Sequence, residues 1–121
     1  MMRISILALA MFSGAGAVTA DVSLSIPVKI DAAGSLNSET YVCEEGKPFS
    51  VQYVNSGANV LAIIPIDGEV RIFVNVVSAS GAKYVSGSHV WWAKGEMATL
   101  ENEMEAGNIE NCQVQDAHLP D

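Results

Sequence analysis

From Tyr41 onward the chain reads as short apolar stretches broken at regular intervals by Gly, Ser, Asn and Asp. Phe49, Val51 and Tyr53 alternate with Ser50 and Gln52, the pattern of a strand with one face toward a core and the other toward water. Asn55-Ser56-Gly57 ends that strand. Residues 60–66 are almost continuously apolar and run into Asp67-Gly68, a pair suited to a tight type I′ hairpin turn, after which residues 70–77 fold back. Ser78-Ala79-Ser80-Gly81 then leads into a strand over 82–85, and Ser86-Gly87-Ser88 turns into an aromatic strand over 89–93. Lys94-Gly95 turns again, and strands over 96–101 and 109–114 complete the series. With a first strand ending near Cys43, this spacing predicts an all-β sandwich or barrel with no helix. Cys43 and Cys112 fall in the first and last strands, so a bond between them would staple the ends of a sheet closed on itself and remove its exposed edges.

The start of the chain has a different pattern. Arg3, an apolar stretch over residues 4–12 and the small residues Val18-Thr19-Ala20 form a secretory leader, with cleavage expected after Ala20. No cysteine stands at that point, so no lipid anchor is expected and the chain is released into the periplasm. Residues 21–38 read as an N-terminal extension. Val22, Leu24 and Ile26 alternate there as in an edge strand, but Pro27 and the linker over 32–38 count against one. Residues 39–121 are left as a single domain. No later apolar run approaches the roughly 20 residues of a membrane-spanning helix. In an oxidising compartment Cys43 and Cys112 pair, which stabilises the fold by about 4 kcal/mol in the chain-entropy model; the alternative is two separate buried thiols.

The formal charge is −8, and loss of Arg3 with the leader makes it −9. Such a surface excludes nucleic acid and anionic lipid as partners, and it attracts a cationic protein from a distance. A second copy of the chain stays open as a partner.

Catalytic motifs fail on context. Ser80-Gly81-Ala82-Lys83 fits the Ser-x-x-Lys pattern of penicillin-recognising acyl enzymes, but their accompanying elements and larger scaffold are missing. His89 and His118 are too scattered to suggest a metal, and no cofactor motif is present. Glu101, Glu103, Glu105 and Glu110 read as a solvated acidic face. Trp91-Trp92 carries more information, because neighbours in a strand point to opposite faces and one ring must lie outside the core. That ring is either shielded by a loop or available to stack on a sugar, which makes a cell-wall carbohydrate module the alternative function.

Three segments together, Tyr41-Val42-Cys43, the Ser80-Gly81-x-x-Tyr84 motif and the Trp92-x-Lys94-Gly95 motif followed by Asn111-Cys112, resemble the membrane-bound and periplasmic inhibitors of c-type lysozyme over residues 40–114. The resemblance implies a non-enzymatic, eight-stranded antiparallel β-barrel with a disulfide at these cysteines, a c-type lysozyme as partner, and membership of the periplasmic branch. It also implies that Ser80 and Lys94 project into the lysozyme cleft, with Gly81 and Gly95 shaping the two turns and Lys83 and Tyr84 flanking them. A c-type lysozyme sets two carboxyl groups about 5 Å apart, one of them kept protonated by a raised pKa. An ammonium with three donors and a hydroxyl that donates or accepts suit such a pair. Lys83 stands where arginine is commoner in the family, so a two-pronged planar bond is not available at that position.

Overall fold

The computed structural model describes residues 14, 21–25, 34–44 and 46–116. Its strands are β1 (Ser35–Cys43), β2 (Phe49–Ser56), β3 (Asn59–Ile66), β4 (Glu69–Val76), β5 (Ala82–Ser86), β6 (His89–Lys94), β7 (Met97–Asn102) and β8 (Ile109–Val114). Each is antiparallel to the next, and β8 returns to β1, so the sheet is the closed eight-stranded barrel expected from the sequence. Asp67 and Gly68 both have positive φ, 50° and 80°, as the predicted β3–β4 turn requires. β1 begins at Ser35, where Ser35 pairs with Asn55, so residues 35–38 form part of the sheet even though their side chains do not alternate. Residues 26–33 of the 21–38 segment, and residues 1–20 apart from Gly14, lie outside the described residues.

Closure is completed at Cys43 and Cys112, which stand directly opposite each other on β1 and β8 and form a disulfide. The interior is filled rather than hollow. Trp91, Phe73, Ile64 and Val51 are fully buried, and the Trp91 ring meets Tyr41 edge-on at 4.9 Å and Phe49 at 6.0 Å between centroids. Such edge-to-face contacts set the positive rim of one ring against the negative face of another. The buried indole N–H must find an acceptor. It donates to the Tyr53 hydroxyl at 2.9 Å, and that hydroxyl lies 2.8 Å from the Tyr41 hydroxyl.

Burial raises the pKa of Tyr53 well above its usual 10.0, and the Tyr41 hydroxyl raises it further; burial also raises Tyr41 and Tyr84. A phenol whose folded pKa exceeds its unfolded one favours the folded state fully below pH 10 and loses that contribution as pH climbs toward the folded value. Urea titrations from pH 8 to 11.5 should therefore show a falling unfolding midpoint above about pH 10, and Tyr53→Phe should flatten that fall. An equally steep fall in Tyr53→Phe would show that the alkaline loss arises elsewhere.

Candidate functional site

The β5–β6 hairpin determines what stands beside what. Its register pairs Ala82 with Ala93, Lys83 with Trp92 and Tyr84 with Trp91. The residues just before β5, Ser80 and Gly81, are thereby brought against the end of β6, where Lys94 leads into Gly95. Both loops lie on one rim of the barrel, around an open end lined by Glu39, Tyr41, Tyr53 and Tyr84 as well as by Gly81 and Gly95.

At this rim the loop before β5 is folded on itself and pinned to β6. The Ser78 hydroxyl donates to the carbonyl oxygens of Ser80 and Gly81, at 3.1 and 3.2 Å. The Ser80 carbonyl also accepts the Trp92 indole N–H at 2.8 Å. Gly81 has φ 66°, and a Cβ built there would lie 2.5 Å from the Ala93 carbonyl oxygen and 2.6 Å from Lys94 Cγ. The backbone of one loop thus rests on the other with no room for a side chain between them. Gly95 has φ 59° and open space around it.

Trp91 and Trp92 divide as strand geometry requires, Trp91 into the core and Trp92 onto the outer face, half-buried. The outer ring is engaged: Lys94 Nζ lies 4.2 Å and Lys83 Nζ 5.1 Å from its centroid. An ammonium over an indole face is attracted by the ring quadrupole, an interaction worth about 0.5–1 kcal/mol where solvent reaches it. Two of the chain's six basic residues are thereby gathered at one point of a strongly acidic molecule.

Ser80, Gly81, Lys94 and Gly95 are exposed at the rim and Lys83 is half-buried beside them. Tyr84 is placed differently. Its ring faces the barrel interior at 5 % exposure, 5.7 Å from the Tyr53 ring, so it supports β5 from within and is not presented to solvent. The outer ring, which the sequence leaves either shielded by a loop or free to stack on a sugar, is that of Trp92, and the loop it meets is the one that carries Ser80. A turn centred on Gly87 and Ser88 fixes the hairpin register, so the pairing of Lys83 with Trp92 could have been counted out from that turn. Among the described residues no cluster of His, Cys, Asp and Glu could hold a metal ion.

Residues 41–109 match the family model of the membrane-bound lysozyme-inhibitor of c-type lysozyme, MliC. The chain belongs to this family. The family is one of enzyme inhibitors and not of enzymes. Among its relatives are the membrane-bound lysozyme inhibitors of C-type lysozyme from Pseudomonas aeruginosa, 49 % identical over 64 % of this chain and 61 % of the relative, and from Escherichia coli, 35 % identical over 62 % of this chain and 65 % of the relative. The chain thus spans under two thirds of the length of these curated relatives. It is also similar to the MliC of a solved structure, the crystal structure of Pseudomonas aeruginosa MliC in complex with hen egg white lysozyme. There the TM-score is 0.63 and the identity 40 %, and the match covers 81 % of this chain and all of that one. The relatives are named membrane-bound, whereas the expected cleavage point of this chain carries no cysteine for a lipid anchor. The residues that bear on this, up to Ala20, lie outside the described part except Gly14.

Proposed function

We propose that this MliC-family chain inhibits c-type lysozyme by presenting Ser80 and Lys94 together to the enzyme's acidic cleft, and that in the bacterial envelope it protects peptidoglycan from hydrolysis. The observation that carries this reading is their convergence. One hydroxyl and one ammonium, from the two ends of the β5–β6 hairpin, stand at the same rim, and the Trp92 indole contacts both the Ser80 carbonyl and the Lys94 head. Neither Ser80 nor Lys94 uses its side-chain polar group in a hydrogen bond among the described residues, so both are available to a partner. Lys94 offers a full charge to an ionised carboxylate. Ser80 donates to that carboxylate or accepts from the protonated one, whichever it meets. The relatives' names and the lysozyme-bound neighbour support the choice of partner. The leader read at residues 1–20 supports periplasmic release of the mature chain. The carbohydrate alternative is less well supported, because the Trp92 ring that would stack on a sugar already has two ammonium groups over it.

The test adds the purified mature chain to a c-type lysozyme clearing a bacterial cell suspension, with a goose-type lysozyme as control; clearing should stop in the first case and continue in the second. Lys94→Ala removes a charge-assisted hydrogen bond of about 1.5–3 kcal/mol and should raise the inhibition constant by one to two powers of ten, roughly. Ser80→Ala should cost less. Full inhibition by both variants would show that the two side chains do not enter the cleft.

A further inference from the structure

Trp92 has no assigned role, yet it joins everything at the rim. Its position is fixed from behind, because its neighbour Trp91 is locked in the core and its backbone is paired with Lys83 on one side and Thr99 on the other. From that fixed strand the indole acts in two directions. Its N–H reaches the Ser80 carbonyl at 2.8 Å, and among the described residues this is the side-chain hydrogen bond that ties the loop bearing Ser80 to another strand. The bonds made by Ser78 stay within that loop. The ring meanwhile lies under Lys94 Nζ at 4.2 Å, so a flexible four-carbon side chain at a turn is drawn to one place.

We infer that Trp92 is a positioning residue of the inhibitory surface, holding the Ser80 loop by its N–H and the Lys94 ammonium by its ring before the partner arrives. The inference rests on the inhibitory reading of Ser80 and Lys94. Ordering a long side chain and a loop at the moment of binding costs affinity, and a group that orders them beforehand removes that cost without touching the partner. Lys83, paired with Trp92 across the hairpin, brings a second ammonium to the same ring at 5.1 Å.

The experiment titrates hen egg white lysozyme with the wild-type chain, Trp92→Phe, Trp92→Leu, Lys94→Met and the double variant Trp92→Leu/Lys94→Met, all ¹⁵N-labelled at the indoles so that the Trp91 N–H resonance reports an intact core. Trp92→Phe keeps a ring and loses the donor, and should raise Kd about threefold; Trp92→Leu loses both functions and should raise it about tenfold. In the Lys94→Met background, where no ammonium is left to position, the same Trp92→Leu change should raise Kd clearly less than in the wild type. A merely structural loss, or direct contact between Trp92 and lysozyme, gives instead the same factor in both backgrounds, and that result overturns the inference. Wild-type affinity in Trp92→Leu does so too. If Trp92→Leu loses the Trp91 resonance, Trp92→Phe alone decides, and an unchanged Kd there refutes the role of the N–H. Failure of Lys94→Met to weaken binding sinks the reading beneath the inference and the inference with it, whereas loss in Lys94→Met with no loss in the Trp92 variants sinks the positioning role alone.

Discussion

Replacing both cysteines by alanine should cost the barrel about 4 kcal/mol, enough to lower its melting temperature by about 20 °C for a domain of this size. Two features point to an effect of this size. Cys43 and Cys112 are 69 residues apart, so the bond closes nearly the whole domain into a loop and removes a large part of the unfolded chain's freedom. The bond also sits at one of the two shortest seams of the barrel, the other being β4–β5. β1 and β2 share seven registered pairs, whereas β1 and β8 share three, ending at the cysteines, with one further hydrogen bond from the Gln115 N–H to the Thr40 carbonyl. Without the disulfide this seam is the natural place for the sheet to open, and opening it exposes two strand edges at once. Alanine is the better replacement because both positions are buried and serine would bury a hydroxyl. Thermal unfolding followed by near-ultraviolet circular dichroism, with and without reductant, measures the effect. A fall of only a few degrees would mean that strand pairing alone holds the ends together.

The strand series was legible because its punctuation is explicit. Asp67-Gly68 marks the turn it forms, and the last strand occupies residues 109–114 as read. The two faces of β3 and β4 were not legible. Val70, Ile72 and Val74 point outward and are 71 %, 58 % and 53 % exposed, while Phe73 between them is fully buried. β3 is apolar on both faces and gives no period-two signal, and in β4 the alternation points the wrong way, with Arg71 and Asn75 on the side of Phe73, so only register and closure decide which side is inside. The beginning of β1 failed for the opposite reason. Ser35, Asn37 and Ser38 have polar side chains, and their place in the sheet comes from backbone pairing with β2. At the rim, the motifs identified Ser80, Gly81, Lys83, Lys94 and Gly95 through resemblance, but the physical cause of their grouping is the β5–β6 register. Tyr84 belongs to the same motif, yet its parity in β5 turns it inward.

Gly81→Ala should disable the rim at least as thoroughly as loss of either proposed contact side chain, Ser80 or Lys94. Two costs combine. A residue with a Cβ is strained at φ 66°, and the Cβ would sit 2.5 Å from the Ala93 carbonyl oxygen, a backbone atom of a residue paired in register with both Ala82 and Ala98. It would also sit 2.6 Å from Lys94 Cγ, close to the root of that side chain, so rotation at the tip brings no relief. The strain and the overlap together cost about 3 kcal/mol if the loop stays in place. If the loop moves instead, Ser80 and its carbonyl leave Trp92, and Lys94 is displaced in the same step. In that second case inhibition of c-type lysozyme should weaken by about a hundredfold, the scale of losing both proposed polar contacts at once. Gly95 supplies the control, since its φ of 59° carries a similar backbone requirement with nothing within 4 Å of an added Cβ. Asparagine tolerates that backbone region, so Gly95→Asn should unfold close to the wild-type temperature while Gly81→Asn does not. Measuring unfolding and inhibition constants for these variants separates the steric lock from the demand for positive φ. Equal tolerance at both glycines would mean that the loop before β5 and the end of β6 are not pressed together, and that the shared rim is looser than the Gly81 contacts require.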